Sequence, residues 1–189
     1  MRVISGASSG LPDGFLGRMA HYRHRVFVEH LGWPLVATDG IESDQFDRPD
    51  TVYVAVEDEQ GRIAGCARLL PTTQPYLLAE VFPQLLNGLS APRDPRIWEL
   101  SRFASVDFNQ PAVTPLAQFS SSATALLLRA AMHCALSLGA ARLITVSPMG
   151  IERLIRRLGV TWQRAGPPMR IGDRALFACW IELAGTADA

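Results

Sequence analysis

The chain reads as an α+β fold, a mixed and mostly antiparallel sheet with helices on both faces. Three observations predict it. Short β-rich runs recur at hairpin spacing between residues 51 and 70. Residues 115–138 carry apolar side chains at helical spacing. Beyond them, strand-like and helix-like segments follow one another without the regular alternation of a doubly wound sheet. At 189 residues the chain suffices for one sizeable core, so it is taken as one domain, 1–189.

In order, residues 11–31 place Leu16, Met19, Ala20, Val26, Phe27 and Leu31 roughly at helical spacing, and Gly32 with Pro34 ends that helix. Residues 34–50 read as a long polar loop, of the kind that is usually functional or disordered. The run 51–56 is β-rich, Asp58-Glu59-Gln60-Gly61 is a turn, and 62–70 is the returning strand. A short helix is expected over 77–82, loop over 83–95, and a strand over 96–104. Helix 115–138 presents Leu116, Phe119, Ala123, Leu126, Leu127, Ala130, Ala131 and Cys134 on one face and stops at Gly139. A strand over 142–147 follows, then a helix opened by Pro148 and closed by Gly159, then strands over 160–165 and 175–183.

Composition removes several function classes. Formal net charge is zero, which disfavours a nucleic-acid partner. No stretch approaches a membrane span and the N-terminus lacks a signal-peptide core, so the cytoplasm is expected. All 18 basic residues are arginine, which rules out a Schiff-base or phosphate-loop lysine and leaves fixed cationic contacts to the planar guanidinium. No GxGxxG follows a strand, so a dinucleotide site is disfavoured. His21, His24, His30 and His133 form no metal pattern, and no metal is expected. Cys66, Cys134 and Cys179 lack CxxC spacing and read as buried thiols. Ser101 and Ser147 have no adjacent histidine to build a hydrolase triad.

What remains is charge in unusual places. Glu42-Ser43-Asp44-Gln45-Phe46-Asp47 sets three carboxylates within six residues, which repel unless they meet cations or water. Arg68 sits inside an apolar strand and needs a carboxylate; Asp44, Asp47 and Glu99 are the candidates. Arg23 and Phe27 share a helix face, either as an arginine snorkelling past a core aromatic or as a ligand grip. Trp33 is a core anchor or a wall for a cationic group. Strict alternation would put Glu99 and Arg102 on opposite faces, so serving one cleft requires a bulge between them. Arg153, Arg156 and Arg157 lie on one polar helix face, either solvated or a docking patch.

These residues, in this order and spacing, resemble the N-acyl-homoserine-lactone synthases of bacterial quorum sensing. The pattern is Arg23, Phe27, Leu31-Gly32-Trp33, then Glu42, Asp44, Phe46 and Asp47, then Arg68 in Cys-Ala-Arg-Leu-Leu-Pro, Phe82, and Glu99-Leu100-Ser101-Arg102-Phe103. The resemblance covers essentially the whole chain. It implies a fold like that of the GCN5-related N-acetyltransferases, with a V-shaped cleft. It implies acyl transfer from acyl carrier protein, or sometimes acyl-CoA, to the amine of S-adenosylmethionine, followed by lactonisation and release of 5′-methylthioadenosine. S-adenosylmethionine is then a substrate and no cofactor is expected.

On that resemblance Glu99 is the base, with Asp47 second and Arg102 beside them. Arg23, Phe27, Trp33, Asp44, Asp47, Arg68, Phe82, Ser101, Arg102 and Phe103 would surround S-adenosylmethionine. Leu126, Thr145, Met149 and Trp180 would line the acyl pocket, Thr145 facing a substituent on the third acyl carbon. Arg153, Arg156 and Arg157 would dock the carrier protein. The absence of a glycine-rich pyrophosphate loop favours carrier protein over CoA as donor. The competing readings are a generic acetyl-CoA-dependent N-acetyltransferase, which leaves the acidic loop and Trp33 unexplained, and a non-catalytic carrier-protein-binding module.

Overall fold

The structure, a computed structural model, describes residues 1–108 and 122–183. The chain divides into two compact units, Met1–Arg68 with Arg102–Ala130 and Leu69–Ser101 with Ala131–Ala189.

In the first unit, strand β1 (Arg2–Ala7) pairs antiparallel with β4 (Val52–Glu57), from Arg2↔Glu57 to Ala7↔Val52. β5 (Ile63–Pro71) lies next to β4, as the hairpin spacing predicted. β4 is buried along its whole length, and its Val-Tyr-Val-Ala-Val run suits a strand covered on both faces. The sequence reading did not anticipate β1. Its Ser5-Gly6 pair is a poor strand signal, and pairing with β4 is what makes it one.

Helix α1 (Phe15–Arg23) continues as a π-helical segment, His24–His30. The single helix expected over 11–31 is therefore two windings. The wider turn, marked by Leu31 N–H donating to Val26 O at 2.9 Å, lets the adjacent Val26 and Phe27 both face inward. Phe15, Met19, Tyr22, Val26 and Phe27 form one core with Tyr53, Ala55, Cys66, Ala104 and Val106. The loop expected over 34–50 holds a miniature hairpin, β2 (Ala37–Thr38) and β3 (Ile41–Glu42). Its turn places Asp39 and Gly40 at φ 54° and 74°, the left-handed pair that an Asp-Gly dipeptide suits.

In the second unit, β6 (Ile97–Ala104) pairs with β7 (Arg142–Pro148) in parallel over Ile97↔Arg142 to Leu100↔Thr145. β7 pairs antiparallel with β10 (Arg174–Glu182), whose other side carries β8 (Trp162–Arg164) and β9 (Met169–Ile171), both antiparallel. The sheet is thus mixed and mostly antiparallel, as predicted. β9 was not anticipated; three residues after two prolines give no periodicity to read. Helix α2 (Leu77–Val81) is the short helix expected there. α3 is described from Ser122 to Ser137 and stops before Gly139, whose φ is 84°. Leu116 and Phe119 lie outside the described residues. Helix α4 runs Ile151–Arg157, so Pro148 ends β7 opposite Leu176 instead of opening the helix. Gly166 is required for space: a Cβ there would overlap Leu85 O. Among the described residues no helix is long and apolar enough to cross a membrane.

Candidate active site

The acidic loop lies in the first unit and is ordered by its own side chains. Asp44 N–H donates to Asp47 Oδ2 at 2.8 Å, and Phe46 N–H to Asp44 Oδ1 at 2.9 Å. Thr51 Oγ1 donates to Phe46 O at 2.7 Å and accepts from Arg48 N–H at 2.9 Å. These local bonds replace helix and strand ladders, which is why the segment looked like neither.

Three arginines meet the three carboxylates. Arg23 Nε donates to Glu42 Oε2 at 2.5 Å, and its two terminal nitrogens donate to Asp47 at 2.8 and 3.0 Å. Arg68 forks onto Asp44 at 2.6 and 3.1 Å and reaches Asp47 Oδ1 at 2.9 Å. Arg102 reaches Glu42 Oε1 from Nε at 3.2 Å and Nη2 at 2.8 Å, and Asp44 Oδ2 from Nη2 at 2.7 Å. Traced round, Arg23, Glu42, Arg102, Asp44, Arg68 and Asp47 alternate in sign and close on themselves. Each carboxylate bridges two guanidiniums, so the cluster that should repel itself is neutral. The forked geometry needs arginine; a lysine ammonium spans no such pair of acids.

Burial alone would raise the Asp47 carboxyl, but the bonds from Arg23 and the charges of Arg23 and Arg68 hold it well below the usual carboxylate range. Tyr53 donates its hydroxyl to Asp47 Oδ1 at 2.7 Å, and burial beside that carboxylate keeps the phenol protonated. Since the folded value lies below the unfolded one, Asp47 adds stability above about pH 4 that is lost as pH falls through the folded value. In urea titrations from pH 5 downward, Asp47→Asn should flatten the acid-side loss seen in the parent. An unchanged slope would remove Asp47 as its source.

Aromatic rings back the guanidiniums. Phe27 lies 5.7 Å from the Arg102 guanidinium carbon, and Phe46 5.6 Å from that of Arg68. Half-buried Trp33 stacks on Phe27 with ring centres 4.8 Å apart. Arg102 has φ 50°, a left-handed backbone inside a strand, which costs a non-glycine residue about 1–3 kcal/mol. It interrupts the strand's alternation at Arg102 itself. The Cys66 thiol donates to Arg102 O at 3.3 Å, and burial pushes that thiol up to about 12, so it stays a donor. Phe103 is half-buried.

The second unit places Glu99, wholly buried, at the start of α2. Its Oε2 accepts Leu77 N–H at 3.0 Å and its Oε1 accepts Leu78 N–H at 2.6 Å. Tyr76, just before the helix, has no capping side chain, so the carboxylate from β6 satisfies N–H groups that the helix itself leaves open. Burial, then the Glu99 charge, pushes the Tyr76 phenol up. Ser101 is buried and Phe82, at the end of α2, half-buried.

Not all expected neighbours come together. Thr145 opposes Cys179 and Ile144 opposes Trp180, so alternation puts Thr145 and Trp180 on opposite faces of the sheet. Trp180 instead lies under Arg142, 4.3 Å from the guanidinium carbon, so grouping it with Thr145 in one wall is corrected. The face that Thr145 does use carries Ser147, the two hydroxyl oxygens 3.3 Å apart and both buried. Met149 is half-buried after β7, and Leu126 half-buried on α3. Arg153, Arg156 and Arg157 are exposed on α4. Sequence reasoning left Glu42 without a role, and missed Tyr53 and Cys66. Only the Glu-x-Asp spacing pointed to the first, and nothing local to the others.

The family described as autoinducer synthase matches residues 11–186. The chain belongs to the autoinducer synthase family. An acyl-homoserine-lactone synthase of Acinetobacter nosocomialis is 50% identical over 183 residues, covering 97% of this chain and 100% of that one. The crystal structure of TofI in a ternary complex with an inhibitor and MTA superposes with a TM-score of 0.84 at 45% identity, covering 97% of this chain and 92% of that one. BjaI, a CoA-dependent acyl-homoserine-lactone synthase solved with SAM and isopentyl-CoA, gives a TM-score of 0.80 at 28% identity, over 96% and 82% of the two chains. A putative N-acetyltransferase from Lactobacillus plantarum shares the fold, with a TM-score of 0.62 at 16% identity over 96% and 97% of the chains. This autoinducer synthase is therefore an acyltransferase of the acyl-homoserine-lactone synthase type, on an N-acetyltransferase-like fold.

Proposed function

We propose that the enzyme transfers an acyl chain from the thioester of acyl carrier protein to the amine of S-adenosylmethionine. The whole-chain likeness to TofI, crystallised with an inhibitor and MTA, carries this reading. In the first step the amine nitrogen attacks the thioester carbon, a C–N bond forms, and the thiol leaves. In the second, the substrate's own carboxylate oxygen displaces the sulfonium intramolecularly, closing the lactone and releasing 5′-methylthioadenosine.

The amine arrives as an ammonium and needs a base. Asp47, held ionised far below the usual range between Arg23 and Arg68, is a poor proton acceptor. The role goes to Glu99. Arg23, Asp44, Asp47, Arg68 and Arg102 hold a neutral frame against which a zwitterionic sulfonium substrate is bound and oriented. Phe27, Trp33, Phe82, Phe103 and Ser101 complete its surroundings. Leu126, Thr145 and Met149 contact the acyl chain, and the Thr145–Ser147 hydroxyls suit a polar substituent on it.

Carrier protein is preferred as donor because α4 exposes Arg153, Arg156 and Arg157 to an acidic partner. The CoA-dependent relative BjaI makes CoA the second reading. Incubating the purified chain with S-adenosylmethionine and either acyl carrier protein or acyl-CoA should yield an acyl-homoserine lactone and 5′-methylthioadenosine by mass spectrometry, preferentially from the carrier. Neither product from either donor would overturn the reading. Arg156→Glu with Arg157→Glu should raise KM for acyl carrier protein about tenfold and leave KM for S-adenosylmethionine alone. Carrier kinetics equal to the parent's would sink the docking role.

A further inference from the structure

His21 belongs to none of the groups above, yet it touches the part of the chain that delivers Glu42. It lies two residues before Arg23 on α1, and its Nδ1 stands 2.8 Å from Gly40 O. A carbonyl only accepts, so Nδ1 carries the hydrogen; one neutral tautomer and the imidazolium both satisfy this. Gly40 is the second residue of the tight β2–β3 turn, which pairs Thr38 with Ile41 and Ala37 with Glu42. The Glu42 side chain, 1% exposed, then accepts from Arg23 through Oε2 and from Arg102 through Oε1. One helix therefore grips one hairpin twice, at its turn through His21 and at its end through Arg23.

We propose that His21 is a positioning residue for the substrate site: by holding the turn at Gly40 it fixes the hairpin so that Glu42 bridges Arg23 and Arg102. Glu42 is the member of the ring that joins those two guanidiniums. Three arginines against three carboxylates sum to zero; with Glu42 withdrawn the same groups carry +1, an unfavourable surrounding for a sulfonium cation. The inference rests on the reading that this ring frames the S-adenosylmethionine site.

The test compares His21→Ala, His21→Asn and Glu42→Gln with the parent. Affinity for S-adenosylmethionine is read by calorimetry, and the Arg23 and Arg102 Nε–Hε resonances by NMR in ligand-free protein. His21→Ala should weaken binding about threefold and shift both resonances, while His21→Asn, whose amide nitrogen takes the place of Nδ1 on Cγ, should stay within about twofold of the parent. Glu42→Gln should weaken binding at least about tenfold. Parent-like affinity and resonances in His21→Ala would overturn the proposal, as would a His21→Asn variant as impaired as alanine. If Glu42→Gln does not fold, the two His21 variants still decide. If the parent binds no S-adenosylmethionine, the substrate reading fails, and the ligand-free resonances judge the positioning role separately.

Discussion

Arg68→Met should destabilise the protein by about 3–5 kcal/mol, among the largest effects of any single substitution in the chain. Arg68 is fully buried, with Asp44 and Asp47 as its partners. Methionine fills similar volume without charge, so the loss does not come from a cavity. It comes from two carboxylates, each mostly shielded from water, that lose one of their two cations and leave the ring at −1. Taken as a whole, a buried ion network roughly breaks even against apolar packing, but removing one member does not. At this chain length the loss corresponds to a melting point lower by about 6–20 °C. Arg68→Lys should fall between, because an ammonium cannot fork onto Asp44 while also reaching Asp47. A methionine variant melting within a degree of the parent would show that the ring contributes nothing to the fold.

Glu99→Gln should lower kcat by about 10²–10⁴ with S-adenosylmethionine affinity retained. Two effects are superposed and have to be separated. Gln removes the proton acceptor. It also replaces one oxygen that accepts a backbone N–H of α2 by an amide group that only donates. The second effect belongs to the helix and appears as a lower melting point; the first appears only in turnover. Glu99→Asp keeps the charge but withdraws it by one methylene, so it should partly restore the cap and restore turnover poorly. Turnover equal to the parent's in Glu99→Gln would leave Glu99 as the cap of α2 and nothing more. A loss of turnover matched by loss of substrate binding and of folded protein would assign it the same structural role.

Strand and helix types were legible wherever periodicity ran for six residues or more, as in β4, β5, β10 and α3. The misses were elements that exist only through a partner. β1 is a strand because β4 lies beside it, β9 because β10 does, and the β2–β3 hairpin is too short for any period, though Asp39-Gly40 signalled its turn. The π-helical winding of His24–His30 was invisible for a similar reason: it answers the demand that both Val26 and Phe27 face one core.

By itself the sequence determined that charge would be buried. An acidic loop, an arginine inside an apolar strand and a chain without lysine leave carboxylate–guanidinium pairing as the means of compensation. Resemblance added the chemistry. Which acid meets which arginine was decided only in the tertiary structure, because the bonded partners are up to 60 residues apart and come from α1, β3, β5, β6 and the loop after β3. The same holds for Glu99, whose carboxylate occupies the N–H groups of a helix 21 residues earlier. Local pattern carries propensity and period; the pairing of distant charges is set by how strands cross and where a backbone such as that of Arg102 turns left-handed.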